Sequence, residues 1–206
     1  MNRAVFLDRD GVINQIVYHQ DIGVLDTPFH PSQFKLLPGV EKALRKITSL
    51  GLKAILVSNQ PGVAKKHMRL KDFYKIDQRM RKDLAKKKVK LDAVYYCLHH
   101  PQGGDKRFKK LCSCRKPKPG LLLKAAEEQK LDLGKSYMIG DSLTDIQAGK
   151  NAGCTTFLLG NHKCDLCKLM EEKNAKPDFI VRDLYQAVKL IEKNEGEKDG
   201  TLHRYR

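Results

Sequence analysis

The stretch that decides the fold is Ala4-Val5-Phe6-Leu7-Asp8-Arg9-Asp10-Gly11, near the start of the chain. Its four apolar residues predict a strand, which ends in two aspartates at positions i and i+2. Both aspartates therefore lean to the same side of the extended chain, and Gly11 permits a sharp turn after them. Ligands bind outside the carboxyl ends of strands in open α/β sheets, so we predict a functional site here. Alternation sends Arg9 to the opposite side, and we predict no catalytic role for it.

Outward from this stretch, apolar runs rich in β-branched residues alternate with helical patterns. Strands are predicted at 4–7, 53–57, 93–97, 137–139, 155–159 and 179–181, and helices at 40–50, 70–87, 121–130, 143–151, 165–174 and 184–192. This alternation predicts an α/β fold, with a doubly wound, mostly parallel sheet and helices on both faces. We expect one domain over residues 1–192 and a flexible tail over 193–206. Two irregular loops, 11–37 and 97–119, interrupt the alternation.

The length and composition fit one domain outside the membrane. The chain has 206 residues, of which 41% are hydrophobic, enough for a sizeable core. No apolar run reaches the roughly 18 residues needed to span a bilayer. Asp8 interrupts the first apolar run too early for a signal peptide, so we expect a cytoplasmic protein. In that reducing compartment the six cysteines are expected to be thiols or metal ligands rather than disulfides.

The chain is strongly basic, with a formal net charge of +16. Much of this charge lies between Lys65 and Lys90, where twelve lysines and arginines accompany only three aspartates. Such a balance fits a nucleic acid, an anionic surface or a phosphorylated substrate as partner. Charge runs also form on ordinary solvated helix faces, and we expect no specific nucleic-acid binding.

Two further predicted strands end in residues suited to phosphate chemistry. The strand 53–57 is followed by Ser58-Asn59-Gln60-Pro61, whose hydroxyl and backbone amides can hold phosphate oxygens. The strand 137–139 leads to Asp141, and Asp145 lies one helical turn further on. The basic run Arg115-Lys116-Pro117-Lys118 can neutralise a phosphoryl group. Carboxylates gathered at one sheet edge repel each other, and a hard divalent cation such as Mg²⁺ relieves that repulsion.

The motifs, in their order along the chain, resemble those of the haloacid dehalogenase superfamily of phosphatases: Asp8-Arg9-Asp10-Gly11, Ser58-Asn59, Lys116, and Gly140-Asp141 with Asp145. The resemblance extends over most of the chain, to the end of the helix predicted at 184–192. It implies a Rossmann-like haloacid dehalogenase fold and the hydrolysis of a phosphate ester through an aspartyl-phosphate intermediate.

The resemblance also implies a role for each motif residue. Asp8 is expected to be the nucleophile, and Asp10 the general acid and base. Asp8, the carbonyl of Asp10 and Asp141 are expected to hold Mg²⁺, with Asp145 in support. The remaining motif residues are expected to bind the phosphoryl group that is transferred: Ser58 and Lys116.

Three cysteines and a histidine in two close pairs, Cys97-Leu98-His99 and Cys112-Ser113-Cys114, predict a structural Zn²⁺ site. The one-residue gaps differ from the usual knuckle spacing, and the alternative is reduced cysteines with a surface histidine. The loop 97–114 is long, basic and poor in apolar residues, so a metal staple is favoured. A second pair, Cys164 and Cys167 after His162, forms an incomplete set and is predicted not to bind zinc.

A narrower resemblance comes from residues 95–103, Tyr-Tyr-Cys-Leu-His-His-Pro-Gln-Gly, and from residues 112–117, Cys-Ser-Cys-Arg-Lys-Pro. Both stretches look like those of the D-glycero-D-manno-heptose 1,7-bisphosphate 7-phosphatases and the related histidinol-phosphate phosphatases. The match implies substrate contacts from the early loop, the segment after residue 57 and the basic run: Ile16, Val17, Tyr18, His19, Ser58, Asn59, Gln60, Pro61, Arg115 and Lys116. One residue departs from the pattern, because many heptose phosphatases have lysine where this chain has Ser142.

The resemblance therefore implies a Mg²⁺-dependent phosphatase that removes the 7-phosphate of the heptose bisphosphate in nucleotide-activated heptose biosynthesis. Three alternatives stay open. A histidinol-phosphate phosphatase would use the same chemistry on another leaving group, whereas the positive charge suggests a polynucleotide 3′-phosphatase. A zinc-stapled nucleic-acid-binding module is the alternative from a different class. No segment is long enough for a large separate cap domain, and we expect a monomer that acts on a small phosphorylated sugar.

Overall fold

The computed structural model describes residues 2–160 and 172–196. Its strands, in chain order, are β1 Ala4–Leu7, β2 Val17–His19, β3 Val24–Asp26, β4 Lys53–Asn59, β5 Ala93–Cys97, β6 Tyr137–Gly140, β7 Thr155–Leu159 and β8 Phe179–Val181. Its helices are α1 Val40–Ser49, α2 Leu70–Lys86, α3 Gly120–Gln129, α4 Leu143–Asn151 and α5 Leu184–Gly196. None of the helices in these ranges is long and apolar enough to cross a lipid bilayer. Residues 161–171, which include Cys164, Cys167 and most of the helix predicted at 165–174, lie outside the described ranges.

Six strands form one sheet in the order β5-β4-β1-β6-β7-β8. Every hydrogen-bonded pair in this sheet is parallel. β1 lies between β4 and β6, because the chain adds strands first on one side of β1 and then on the other. The predicted doubly wound, mostly parallel sheet is confirmed, and all six strands start at the predicted residues. In such a sheet a ligand site is expected where the winding reverses, at the carboxyl ends of β1 and its neighbours.

Strand β1 shows how the sheet divides the core into two layers. Val5 and Leu7 pack with residues of α1, α2 and α5 on one face. Ala4 and Phe6 pack with residues of α3 and α4 on the other face. Alternate residues of a strand face opposite sides of a sheet, so a strand covered by helices on both sides must be apolar throughout.

The segment 11–37, predicted as an irregular loop, contains an antiparallel hairpin of β2 and β3. Each strand has only three residues, too few to show an alternating pattern, so the prediction of irregular structure was wrong here. Gly23 adopts φ +66° at the turn, a conformation that glycine enters without strain. In the described ranges this hairpin and the loop after β5 are the insertions at the carboxyl edge, and neither forms a large cap domain.

Helix α5 continues to Gly196 and so extends past the predicted domain boundary at 192. The carboxylate of Glu195 pairs with Arg3 and accepts a hydrogen bond of 2.6 Å from the Tyr137 hydroxyl. These contacts join the last turn of α5 to the sheet, and residues 193–196 of the predicted tail are therefore helical. Residues 197–206 lie outside the described ranges.

Candidate active site

The sheet topology brings the sequence motifs to one edge. β1 pairs in parallel with β4 on one side and with β6 on the other. Asp8 follows β1 directly, Ser58 lies near the end of β4, and Asp141 follows β6. Because parallel strands end at the same edge of a sheet, residues far apart in sequence become neighbours here.

Lys116 lies at the centre of this edge with its side chain buried. Its Nζ contacts Asp8 Oδ1 at 2.8 Å, Asp145 Oδ1 at 2.5 Å and the carbonyl oxygen of Val57 at 2.9 Å. Three acceptors match the three hydrogens of an ammonium group. Burial opposes the charge on Lys116, but Asp145 and Asp8 outweigh it and raise the pKa of Lys116 above its ordinary value. The lysine is therefore held as a cation against the predicted nucleophile.

Three carboxylates form a potential metal site around this lysine. Ligand oxygens of Asp8, Asp141 and Asp145 lie within 4.8 Å of one another. Burial, together with the neighbouring carboxylates, raises the pKa of Asp8 to about 6 and of Asp141 to about 7, although Lys116 opposes both shifts. A hard divalent cation with oxygen ligands would relieve this repulsion, so the donor set fits Mg²⁺.

Gly11 makes room for one of these carboxylates. A Cβ atom placed on Gly11 would lie 2.0 Å from Asp141 Oδ2, and Gly11 itself adopts φ +75°. The sharp turn after β1 thus needs glycine for its backbone conformation and for the close approach of Asp141.

The carboxylate of Asp10 is surrounded by donors. Asn14 Nδ2 donates to Oδ1 at 2.9 Å, and the Thr27 hydroxyl lies 2.9 Å from the same oxygen. Gln60 Nε2 donates to Oδ2 at 2.7 Å, and Arg9 Nη2 lies 3.2 Å from both oxygens. The predicted general acid and base is therefore fixed in one orientation by four side chains.

The side chain of Arg9 reaches the side of the strand where Asp10 lies, which strand alternation did not predict. Its side chain is fully buried, and it reaches round to Asp10 and to the Thr27 hydroxyl. The guanidinium also lies 6.0 Å from the centroid of the Tyr96 ring. Burial opposes its charge, but Asp10 and Tyr96 raise the pKa of Arg9 above its ordinary value. Alternation fixes only the direction of the Cα–Cβ bond, and a side chain as long as arginine can return to the other side.

A cavity of about 260 Å³ opens above this edge. Among the described residues its lining comes from the strand ends, the hairpin and the loop before α3: Asp8, Asp10, Ile16, Leu25, Asp26, Thr27, Asn59, Pro61, Arg115, Lys116, Asp141, Ser142, Thr144 and Asp145. Five of the predicted substrate residues are in this lining: Ile16, Asn59, Pro61, Arg115 and Lys116. The other five lie elsewhere: Val17, Tyr18, His19, Ser58 and Gln60.

The predicted substrate residues outside the lining have other partners or point to solvent. Val17 and Tyr18 belong to β2, and Tyr18 is exposed. His19 is buried, with Nε2 donating to the carbonyl of Thr27 at 2.9 Å. Gln60 is fully buried and also donates to Ser58 Oγ at 3.1 Å. These five side chains therefore do not line the cavity, and the buried ones among them contact residues next to it.

Cys97, His99, Cys112 and Cys114 come together as the sequence predicts. The three sulfur–sulfur distances are 3.2–3.6 Å, and His99 Nδ1 lies 3.7 Å from Cys97 Sγ and 3.3 Å from Cys114 Sγ. A tetrahedron with Zn–S bonds of about 2.3 Å has edges of about 3.8 Å, so the four donors are close to the arrangement that Zn²⁺ takes. Burial raises the pKa of the Cys97 thiol, a cost that a bound cation offsets.

Arg115 links this cluster to the cavity. Its Nη1 donates to the carbonyl oxygen of His99 at 3.3 Å, while its side chain is part of the cavity lining. Ser142 is in the lining too, and its hydroxyl donates to Asp145 Oδ2 at 2.6 Å. Ser142, the residue at which the sequence was expected to depart from the family pattern, therefore holds Asp145.

Sequence reasoning missed Thr27 and Asn14, which both contact Asp10. Asn14 is four residues from Asp10, and the short turn after Gly11 could have suggested the contact. Thr27 is 17 residues away, beyond a hairpin that was not predicted, and no local pattern indicates it.

Similarity to known proteins is consistent with this geometry. A family model described as HAD-hydrolase-like matches residues 113–187. The D-glycero-beta-D-manno-heptose-1,7-bisphosphate 7-phosphatase of Escherichia coli strain K12 is 37% identical over 193 residues, which are 92% of this chain and 95% of that protein. The chain belongs to this family of HAD-like phosphatases. Another member, the protein of the same name from Haemophilus influenzae, is 40% identical over 74% of this chain and 78% of its own length.

Solved structures of the family share the fold. A HAD-like phosphatase from Mesorhizobium loti has a TM-score of 0.75 and 29% identity, covering 96% of this chain and 89% of its own. A D,D-heptose 1,7-bisphosphate phosphatase from B. bronchiseptica, solved with magnesium and phosphate, has a TM-score of 0.73 and 28% identity. That match covers 93% of this chain and 99% of the other. The family membership therefore holds over nearly the whole chain.

Proposed function

We propose that this phosphatase removes the 7-phosphate from D-glycero-D-manno-heptose 1,7-bisphosphate and so serves the biosynthesis of nucleotide-activated heptose. The observation that carries the proposal is the contact of Lys116 with Asp8 inside a carboxylate cluster, a pairing suited to phosphoryl transfer. Relatives that carry the name of this activity are 37–40% identical to most of the chain, which supports the choice of substrate.

The reaction would proceed in two displacements on phosphorus. Asp8 attacks while the bond to the sugar oxygen breaks, and Asp10 gives that oxygen a proton. Asp10 then takes a proton from the water that attacks the aspartyl phosphate, which releases phosphate and restores Asp8. Lys116 keeps Asp8 oriented and places a positive charge beside the equatorial oxygens.

Two metals have separate parts in the proposal. Asp8, Asp141 and the carbonyl of Asp10 would hold Mg²⁺, which would offset the charge of the phosphoryl group. The relative from B. bronchiseptica, solved with magnesium and phosphate, supports this ion. Three cysteines and one histidine would supply all four ligands of a structural Zn²⁺, so its proposed role is to hold the loop 97–114.

Arg115 is proposed to select the substrate. It lies in the cavity lining and is tied to the loop of the cluster through the His99 carbonyl. A guanidinium fork suits the second phosphate or the hydroxyls of a sugar, whereas it repels the amine of histidinol phosphate. This difference favours the heptose bisphosphate over the nearest enzymatic alternative.

The test is phosphate release, with added Mg²⁺, from both anomers of the heptose bisphosphate, from histidinol phosphate and from 3′-phosphorylated oligonucleotides. We expect the better heptose anomer to exceed the others at least about tenfold in kcat/KM, or about 1.4 kcal/mol of transition-state binding. Arg115→Ala should reduce this preference more than it reduces turnover of p-nitrophenyl phosphate. Arg107→Ala is the matched control, because Arg107 pairs with Asp105 and lies outside the lining of the catalytic cavity. If histidinol phosphate is turned over as efficiently as the better heptose anomer, the proposed substrate is refuted.

A further inference from the structure

Thr27 connects the β2–β3 hairpin to the carboxylate of Asp10. It follows β3 directly and is buried. Its hydroxyl oxygen lies 2.9 Å from Asp10 Oδ1 and 3.3 Å from Gln60 Oε1, and it also accepts a hydrogen bond from Arg9 Nη2. A buried hydroxyl costs free energy unless it is hydrogen-bonded, so these three neighbours account for a polar side chain at this position.

The charge of Arg9 decides the direction of the Thr27 hydroxyl. A guanidinium has only donors, so Thr27 Oγ1 must be the acceptor in that contact. The hydrogen of the hydroxyl is then free for one further acceptor, and Asp10 Oδ1 is nearer than Gln60 Oε1. Thr27 therefore donates to Asp10, and the adjacent positive charge strengthens that hydrogen bond.

The two oxygens of Asp10 differ in how fully they are occupied. Oδ1 accepts from Asn14 and from Thr27, each at 2.9 Å, which uses both of its lone pairs. Oδ2 accepts at short range from Gln60 alone, at 2.7 Å, and Arg9 spans both oxygens at 3.2 Å. Oδ2 therefore has fewer donors than Oδ1 and is the less fully occupied of the two oxygens.

The backbone of Thr27 is fixed as firmly as its side chain. Its carbonyl accepts from His19 Nε2 at 2.9 Å, and the His19 ring stacks on Phe29 with 3.8 Å between centroids. Its N–H donates to Asp26 Oδ1 at 2.7 Å. The hairpin thus sets the position of the hydroxyl that meets Asp10.

We propose that Thr27, assisted by the charge of Arg9, is a positioning residue that binds Asp10 Oδ1 and thereby presents Oδ2 to the reacting atoms. This inference rests on the proposed role of Asp10 as general acid and base. In the first displacement the proton on Oδ2 passes to the leaving oxygen as its bond to phosphorus breaks and the bond to Asp8 forms. In the second, Oδ2 receives a proton from the attacking water.

A misplaced Asp10 harms only those steps that need its proton. An alkyl or sugar phosphate has a poor leaving group and depends on protonation, whereas p-nitrophenolate leaves without it. Thr27→Val keeps the shape of the side chain and removes the hydroxyl. We expect its first-turnover rate on the heptose bisphosphate or another alkyl phosphate to fall about 10- to 100-fold. The burst of p-nitrophenolate from p-nitrophenyl phosphate should stay within about threefold of the unmutated rate, with KM little changed, because this step needs no proton.

Three further variants make the result specific. Thr27→Ser keeps the hydroxyl and should restore most of the alkyl-phosphate rate. Gln60→Met removes the donor to Oδ2 and should repeat the leaving-group dependence, which keeps the test open if Thr27→Val does not fold. Thr156→Val is the matched control, since Thr156 is a buried threonine whose hydroxyl binds Asp178 away from the site, and it should show no leaving-group dependence.

Asp10→Asn separates a failure of this inference from a failure of the proposed function. If Asp10→Asn slows the first displacement equally with both esters, Asp10 is not the general acid and the proposed mechanism fails. If the first displacement in Asp10→Asn is slowed selectively for the alkyl phosphate, while Thr27→Val (or Gln60→Met where Thr27→Val does not fold) slows the two esters equally, the positioning role is refuted and the mechanism stands.

Discussion

The side-chain amide of Asn59 forms two hydrogen bonds with the backbone of Lys116. Asn59 Nδ2 donates to the Lys116 carbonyl and Asn59 Oδ1 accepts from the Lys116 N–H, both at 3.0 Å. Asn59 is the last residue of β4, so the sheet edge fixes the loop segment from which the lysine reaches Asp8. Asn59, which was predicted to contact substrate, thus has both its Nδ2 and its Oδ1 bound to the loop segment that carries Lys116.

Removing this amide should impair catalysis more than folding. Asn59→Ala loses two hydrogen bonds, each worth a net of about 0.5–1.5 kcal/mol. Because Lys116 is then free to shift, we expect kcat to fall about tenfold or more, measured with p-nitrophenyl phosphate. Asn151→Ala is the control: its Nδ2 donates to the carbonyl of the neighbouring Pro117 at 3.3 Å on the surface. Equal losses of kcat in the two variants would contradict the role of Asn59.

Asp8→Asn should abolish turnover and leave the fold intact, because an amide cannot form the acyl phosphate. The substitution also removes one of the carboxylates that repel each other at the sheet edge. Acid quenching of the unmutated enzyme with substrate should trap phosphate on the protein, and the variant should trap none. Circular dichroism checks the fold. Turnover of the variant near the unmutated level would rule out Asp8 as the nucleophile.

Gly11→Ala should weaken Mg²⁺ activation. The added Cβ meets Asp141 Oδ2, and changing a residue that orients a metal ligand typically costs about 10- to 100-fold in metal affinity. Gly153→Ala separates this clash from backbone strain, because Gly153 has φ +84° but nothing within 4 Å of its added Cβ. Both variants should lower Tm, while only Gly11→Ala should raise the Mg²⁺ concentration for half-maximal activity. A similar Mg²⁺ requirement in both would show that Asp141 had not been displaced.

The purified protein should contain about one tightly bound zinc per chain, which elemental analysis can count. Cys112→Ser should lower the zinc content and Tm, and it should weaken substrate binding by releasing the loop that carries Arg115. Cys154→Ser is the control. Cys154 is buried and does not belong to the cysteine and histidine cluster, so this variant should keep its full zinc content. Two zinc ions per chain would indicate that Cys164 and Cys167 also bind zinc. A protein without zinc would refute the proposed structural zinc site.

Binding to DNA or RNA should be weak, independent of sequence and lost as salt approaches physiological concentration. On α2, Arg79 pairs with Asp83 at 2.6 Å and Arg81 with Asp77 at 2.8 Å, so part of its positive charge is already matched. Fluorescence anisotropy with short oligonucleotides over a salt series measures this. Submicromolar binding at physiological salt would revive a nucleic-acid function.

The first strand and the two aspartates that follow it show how much of the fold could be predicted from the sequence. The run Ala4–Leu7 must be covered on both faces because it is apolar throughout, and that requirement already implies a parallel sheet between helix layers. The two close pairs that contain Cys97 and Cys114 could likewise be grouped into one predicted zinc set from their spacing and chemistry. Their contact at 3.2 Å agrees with that expectation.

Only the tertiary structure assigned side chains to partners across the loops. Thr27 meets Asp10 because a hairpin of two three-residue strands folds over the sheet edge, and segments that short have no detectable period. Arg9 reaches the same carboxylate because its length overrides the alternation of its strand. The sequence by itself determined which residue types could do phosphate chemistry and at which sheet edge, since strand periodicity is local. The structure decided which of them touch, since those contacts depend on loop paths and side-chain conformations that no local pattern encodes.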